Sequence, residues 1–202
     1  QAITRICRMV DGMPLGIILA AGWADALSLA EIADEISADA TFLAQELRDL
    51  EPRHRSISTV FEHSWQRLAV EEQQALAALS VFSGGFDRDA AQAIAGASLP
   101  ILVGLIDRAL IWKVADQRFN LHELVRQFAR KGLTSTGQEQ TRRALHSRWF
   151  LALVAQQEAR LKGREQVEAT RLLEQEQANV RVAWERAADN GEYDAMLRAV
   201  ES

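Results

Sequence analysis

Ile111-Trp112-Lys113-Val114-Ala115-Asp116-Gln117-Arg118-Phe119-Asn120-Leu121-His122 is the stretch where the periodicity of this chain changes. Elsewhere apolar residues recur every three or four positions. Here Ile111, Trp112 and Val114, then Phe119 and Leu121, flank Asp116-Gln117 at strand-like spacing. Two such runs around a polar turn predict a two-strand hairpin. The turn carries no glycine, which the tightest hairpins favour. From His122 the helical period returns, with Leu124, Val125, Phe128 and Ala129 on one face.

Working outward, the residues before the hairpin predict helices at Ile57–Leu68, Glu71–Leu79, Asp87–Ala95 and Leu99–Leu110. Ser83-Gly84-Gly85 marks a turn between the second and third. Several helices followed by a terminal hairpin form the outline of a winged helix, assigned to residues 49–133. Residues 1–48 predict a small helical bundle. Ile3, Ile6, Cys7 and Val10 share a helical spacing, Asp11-Gly12 ends that helix, and Pro14 starts the next, which runs to about Ala26. Ser28 and Glu31 have the spacing of a capping box before a short helix through Ile36.

Residues 134–202 predict an antiparallel, TPR-like array of long helices. Thr134-Ser135-Thr136-Gly137 reads as a linker, and Thr136 with Glu139 as a second capping box. Two long helices follow, split near Gly163. Leu145, Trp149 and Leu153 stripe the first, and Leu173, Val180, Trp184 and Ala187 the second. Asn190-Gly191 closes the second, and a further helix begins near Tyr193. The fold class is therefore mainly α: a small bundle, a winged helix with a short hairpin, then long antiparallel helices.

Composition narrows the function. The chain has 202 residues, 48% of them hydrophobic, which is enough for a packed core. Its net charge of −5 and lack of any lysine- or arginine-rich block give no nucleic-acid footprint. A lone cysteine, Cys7, excludes an internal disulfide, fits a reducing compartment and reads as a small buried hydrophobe. No apolar run reaches membrane-spanning length and no signal peptide is visible, so a cytoplasmic location is expected. The chain opens inside a predicted helix, as a piece of a longer protein would.

Several chemistries lack their residues. There is no Gly-Lys pair and hence no Walker A loop. No Cys or His pair has zinc-ligand spacing; His54 and His63 lie nine positions apart with no cysteine near. No nucleophile elbow is present. Glu71-Glu72 sits at a helix start, where acids favour the macrodipole rather than catalysis.

Two short motifs carry what remains. Gly12-Met13-Pro14-Leu15-Gly16 resembles the GxP motif of NB-ARC-type STAND ATPases, and Leu121-His122-Glu123-Leu124-Val125 resembles their MHD motif at the same place in a winged helix. Arg53-His54-Arg55-Ser56, Trp65 and the run Leu79-Ser80-Val81-Phe82-Ser83-Gly84-Gly85-Phe86 are similar to bacterial members of that group, among them transcriptional regulators of the LuxR and antibiotic-regulatory types. The likeness is strongest from Cys7 to Arg130 and weaker around Leu173 to Asp189.

The resemblance implies a signal-transduction switch. An upstream P-loop domain of the same protein would bind ADP, or ATP with magnesium. Pro14, flanked by Met13 and Leu15, would pack against adenine, and His122 would reach the ADP β-phosphate. A proline ring is a rigid apolar face, and an imidazole donates a hydrogen bond to phosphate. Exchange of ADP for ATP would release the winged helix, a two-state equilibrium biased by differential contacts. The third motif position departs from the pattern: Glu123 stands where aspartate is usual, and glutamate caps a helix less well. With no P-loop, this piece is expected to have no ATPase activity and no tightly bound nucleotide or metal of its own.

Two other readings stand beside this one. The long C-terminal helices could form a protein-interaction or self-association module with no nucleotide role. The winged helix could bind DNA. Against the second, the helix Leu99–Leu110 offers one arginine, Arg108, and reads as a buried helix, while residues 49–133 hold ten basic and ten acidic side chains.

Overall fold

A computed structural model describes residues 2–10, 16–17, 20–21, 23–24, 27–38, 64–114 and 118–200. It is mainly helical with one two-stranded antiparallel sheet. The elements are α1 (Ala2–Met9), α2 (Leu29–Ala38), α3 (Val70–Leu79), α4 (Arg88–Ala90, continued by a π-helical turn Ala91–Ala95), α5 (Leu99–Asp107), β1 (Trp112–Lys113), β2 (Phe119–Asn120), α6 (Glu123–Ser135), α7 (Glu139–Leu161), α8 (Gln166–Asp189) and α9 (Tyr193–Val200).

In the N-terminal part, Ile6, Val10, Ala20, Ile32, Ala33 and Ile36 form a small core of their own where α1 packs on α2. The capping box is present: the Ser28 N–H donates to Glu31 Oε2 at 2.8 Å, and the Glu31 N–H to Ser28 Oγ at 3.3 Å. Two expectations change here. Ile3 is exposed, and Cys7 is half-buried rather than buried. Ile6 and Val10 turn to the small core, with Met9 packed against it, while Ile3 stays outside it. The predicted helix start at Pro14, the Asp11-Gly12 stop and most of Ile57–Leu68 lie outside the described residues.

Residues 64–135 have the element order of a winged helix. β1 and β2 pair antiparallel, Trp112 opposite Asn120 and Lys113 opposite Phe119. The expected turn residues Asp116-Gln117 lie outside the described residues. A third strand position completes the sheet: Phe86, between α3 and α4, exchanges both main-chain hydrogen bonds with Phe119, at 2.9 and 2.8 Å. α3 packs along α6. Trp65 reaches in against α6 at Gly132, where an added Cβ would stand 3.2 Å from the indole ring. Trp65 also meets Phe128 edge-on, with ring centroids 5.9 Å apart.

Two predicted helices are shortened or altered. The expected Asp87–Ala95 helix is one α turn, capped by Asp87 accepting from the Ala90 N–H at 2.7 Å, which then widens to π geometry and ends at Gly96 with positive φ. α5 ends at Asp107, and only Leu102 and Leu105 are fully buried in it. Leu99 and Val103 face outward at 43% and 47% exposure, so this helix is not wholly buried as its sequence suggests. Arg108 is tied down to Glu72 and to the Gly104 carbonyl, at 3.1 and 2.8 Å.

The first half of the expected linker 134–137 is helix, because α6 runs on to Ser135. Thr136 and Gly137 make the turn, Gly137 with positive φ. The capping box expected of Thr136 and Glu139 does not form. Thr134 donates its hydroxyl to Glu139 at 2.8 Å, and Thr136 donates to the Leu133 carbonyl. The two further residues of α6 bring Thr134 within reach of Glu139 instead. α7 and α8 pack antiparallel as predicted, and Gly191 turns the chain into α9. One continuous hydrophobic core runs from Leu68 through Ala187, so α7 and α8 share it with the winged helix.

Candidate functional site

The sequence pointed to His122, which stands between β2 and α6. Its carbonyl accepts the Arg126 N–H at 2.9 Å, which is the first bond of α6 and puts His122 at the N-cap position. The side chain is half-buried. It therefore sits at the positive end of a helix, which favours an anionic partner.

One side chain fixes this loop. Arg126 is almost fully buried, and its guanidinium spans the loop. Nη2 donates to the Leu121 carbonyl at 3.0 Å, Nη1 to the Phe82 carbonyl, and Nε to Glu123 Oε2 at 3.0 Å. Burial lowers the Arg126 pKa from its usual value, while the Glu123 carboxylate opposes that shift. Glu123 is the first residue of α6 and pairs with Arg126 Nε. The planar fork of an arginine suits two carbonyls and a carboxylate at once.

Beyond Phe82 lies a second polar group that sequence reasoning missed. Glu176 and Asn179 on α8 and His146 on α7 are all 2% exposed or less. Arg118, entering β2, forms an ion pair with Glu176. Asn179 accepts the Ser83 N–H at 2.8 Å, donates to the Gly85 carbonyl at 2.9 Å and donates to Glu176 Oε2 at 2.9 Å. His146 Nε2 lies 3.3 Å from Asn179 Oδ1. The desolvation of this cluster is severe, so nearly every polar atom must find a partner. Burial pushes the His146 pKa down to about 4, so the ring is neutral near pH 7 and Nε2 donates to Asn179.

Aromatic rings pack beside the cluster. Phe82 lies tilted against Phe86 at 4.7 Å and meets Phe150 edge-on at 6.1 Å, while His146 and Phe150 lie 4.7 Å apart. The available signal for this group was the pattern Glu176-x-x-Asn179 on the core side of an otherwise apolar stripe. That spacing puts both residues on one helix face.

Of the other predicted site residues, Met13, Pro14 and Leu15 lie outside the described residues, as do His54 and His63. Among the described residues, no group of three His, Cys, Asp or Glu side chains is placed to hold a metal. Among the described residues, no single helix is long and apolar enough to cross a membrane.

Over its whole length the chain is 31% identical to proteins of Mycobacterium tuberculosis and Mycobacterium bovis, each named "Putative HTH-type transcriptional regulator". The chain is similar to one segment of these regulators. It spans 24% of their length. A second protein of Mycobacterium tuberculosis, named as uncharacterized, is 30% identical over 67% of the chain, a match spanning 37% of that protein. No protein-family profile matches the chain. No solved structure matches it.

Proposed function

We propose that this chain is the regulatory part of a longer STAND-type, NB-ARC-like ATPase that acts as a transcriptional regulator. It forms part of the lid over ADP and relays nucleotide state to the helices α7–α9. The observation that carries the reading is His122, half-buried at the N-cap of α6, on a loop clamped by Arg126. The likeness to segments of mycobacterial regulators supports the regulatory setting.

In this reading the P-loop domain elsewhere in the same protein supplies the phosphate cradle and the magnesium with ATP. This chain supplies an imidazole donor and the positive end of α6 to the β-phosphate of ADP. Pro14, with Met13 and Leu15, supplies an apolar face to the base. The chain itself performs no catalysis. A charge-assisted hydrogen bond of about 1.5–3 kcal/mol shifts a two-state equilibrium roughly ten- to a hundredfold. The test is ADP retention by the longer protein with and without His122→Ala. A tenfold or greater fall in retention supports the lid; unchanged retention removes it.

A second reading, a helical protein-interaction module, is favoured by one feature. An open groove of about 680 Å³ lies between α7 and the start of α9, lined by Leu151, Ala155 and Tyr193 beside Arg148 and Glu192. Under this reading, a partner or second copy binds residues 134–202, and His122→Ala leaves that binding unchanged. DNA reading by α5 is disfavoured on geometry. Its outward residues include Leu99 and Val103, and its flanking arginine is already engaged by Glu72.

A further inference from the structure

We infer that Arg126 and Asn179 are positioning residues at the two ends of one hydrogen-bonded linkage, which carries the placement of the His122 loop into α8. The connection is continuous. Arg126 holds the Leu121 carbonyl, one residue before His122, and with the same guanidinium holds the Phe82 carbonyl. The next main-chain group after Phe82, the Ser83 N–H, is held by Asn179, which also holds the Gly85 carbonyl. Asn179 leans on Glu176, and Glu176 pairs with Arg118 at the start of β2. The path thus closes into a ring, because β2 leads back to His122.

Two properties make this ring suited to transmission. Its side chains, Arg126, Asn179, Glu176 and Arg118, are buried and hydrogen-bonded, so each of their bonds is costly to leave unmade. The segment 82–85 is gripped on both sides, by α6 through Arg126 and by α8 through Asn179. A displacement of the loop therefore either moves α8 with it or breaks a buried bond. Ordinary core packing alone would allow α7 and α8 to slide against the winged helix with smaller loss. The purpose assigned to the linkage rests on the lid reading, whereas its existence can be tested without nucleotide.

The test is amide hydrogen exchange on the full chain. The Arg126 N–H reports on the His122 carbonyl that it bonds. Asn179→Ala is expected to speed exchange at Arg126 and Phe86 at least tenfold relative to Leu76 and Leu79 in α3. Ser147→Ala is the control. It removes another buried bond between α7 and α8, from Ser147 Oγ to the Ala183 carbonyl at 2.8 Å, and should leave the Arg126 ratio unchanged. If Asn179→Ala does not fold, Arg126→Lys reads the path in reverse, with at least tenfold faster exchange expected at Ser83. Exchange at these amides that only keeps step with α3 overturns the linkage. Selective exchange together with unchanged ADP retention in His122→Ala keeps the linkage and discards the lid.

Discussion

The side-chain oxygen of Asn179 accepts the main-chain N–H of Ser83 at 2.8 Å, across 96 positions of sequence. A helix side chain thereby takes the part of a missing strand, satisfying a turn that has no backbone partner there. Removing it leaves a partly buried donor at Ser83 and a partly buried acceptor at Gly85 without their partner. Each unsatisfied group costs about 1–3 kcal/mol. Asn179→Ala should lower the unfolding free energy by roughly 2–5 kcal/mol in a urea titration, with the midpoint shifting while the slope stays constant.

The Arg118–Glu176 pair is almost wholly buried, with side-chain exposures of 10% and 2%. Deleting one partner strands the other charge in the core. Arg118→Met should therefore cost about 3–5 kcal/mol. The double substitution Arg118→Met with Glu176→Leu should cost clearly less than the two single changes added together, because no charge is left unpaired. Additive losses in a double-mutant cycle would show that the pair makes no specific contribution.

His146 gives stability a pH dependence of known sign. Its folded pKa is depressed to about 4, by burial first and then by Arg143 and Arg186, with the Asn179 contact opposing. The unfolded chain, with a pKa near 6.5, takes up the proton more readily. Stability is therefore full above pH 6.5 and falls as the pH drops from about 6.5 towards 4, by about 3 kcal/mol over that window. His146→Gln should flatten this part of a denaturation-versus-pH curve. An unchanged slope would assign the acid sensitivity to other groups.

The outward face of α5 leads to a prediction about DNA. With Leu99 and Val103 exposed and Arg108 engaged by Glu72, α5 presents few base-edge partners. Fluorescence anisotropy of a labelled duplex at micromolar chain should stay flat at low and moderate salt. A rise that weakens steeply with added salt would restore the DNA-binding alternative.

Much of the fold was legible because its signals are short in range. The change of period at Ile111–Leu121 located the hairpin, and the split near Gly163 separated α7 from α8. Errors came where one extra turn or a change of helix type moved the register. α6 running on to Ser135 handed Glu139 to Thr134. The π turn at Ala91–Ala95 interrupted a pattern that read as one regular helix. In the candidate site, His122 was legible as a motif at a strand–helix junction. Arg126 sat within the opening run of the same helix, and nothing in its type announced that it would be buried.

The sequence by itself determined the order of the helices, the place of the hairpin, the split between α7 and α8, and the i, i+3 spacing that puts Glu176 and Asn179 on one helix face. Those properties follow from sterics, capping and periodicity over a few neighbouring residues. Only the tertiary structure decided that this face meets the Ser83–Gly85 turn and Arg118. A charged or amide side chain carries no local mark of its distant partner. Its burial becomes tolerable only when folding brings that partner within hydrogen-bonding distance.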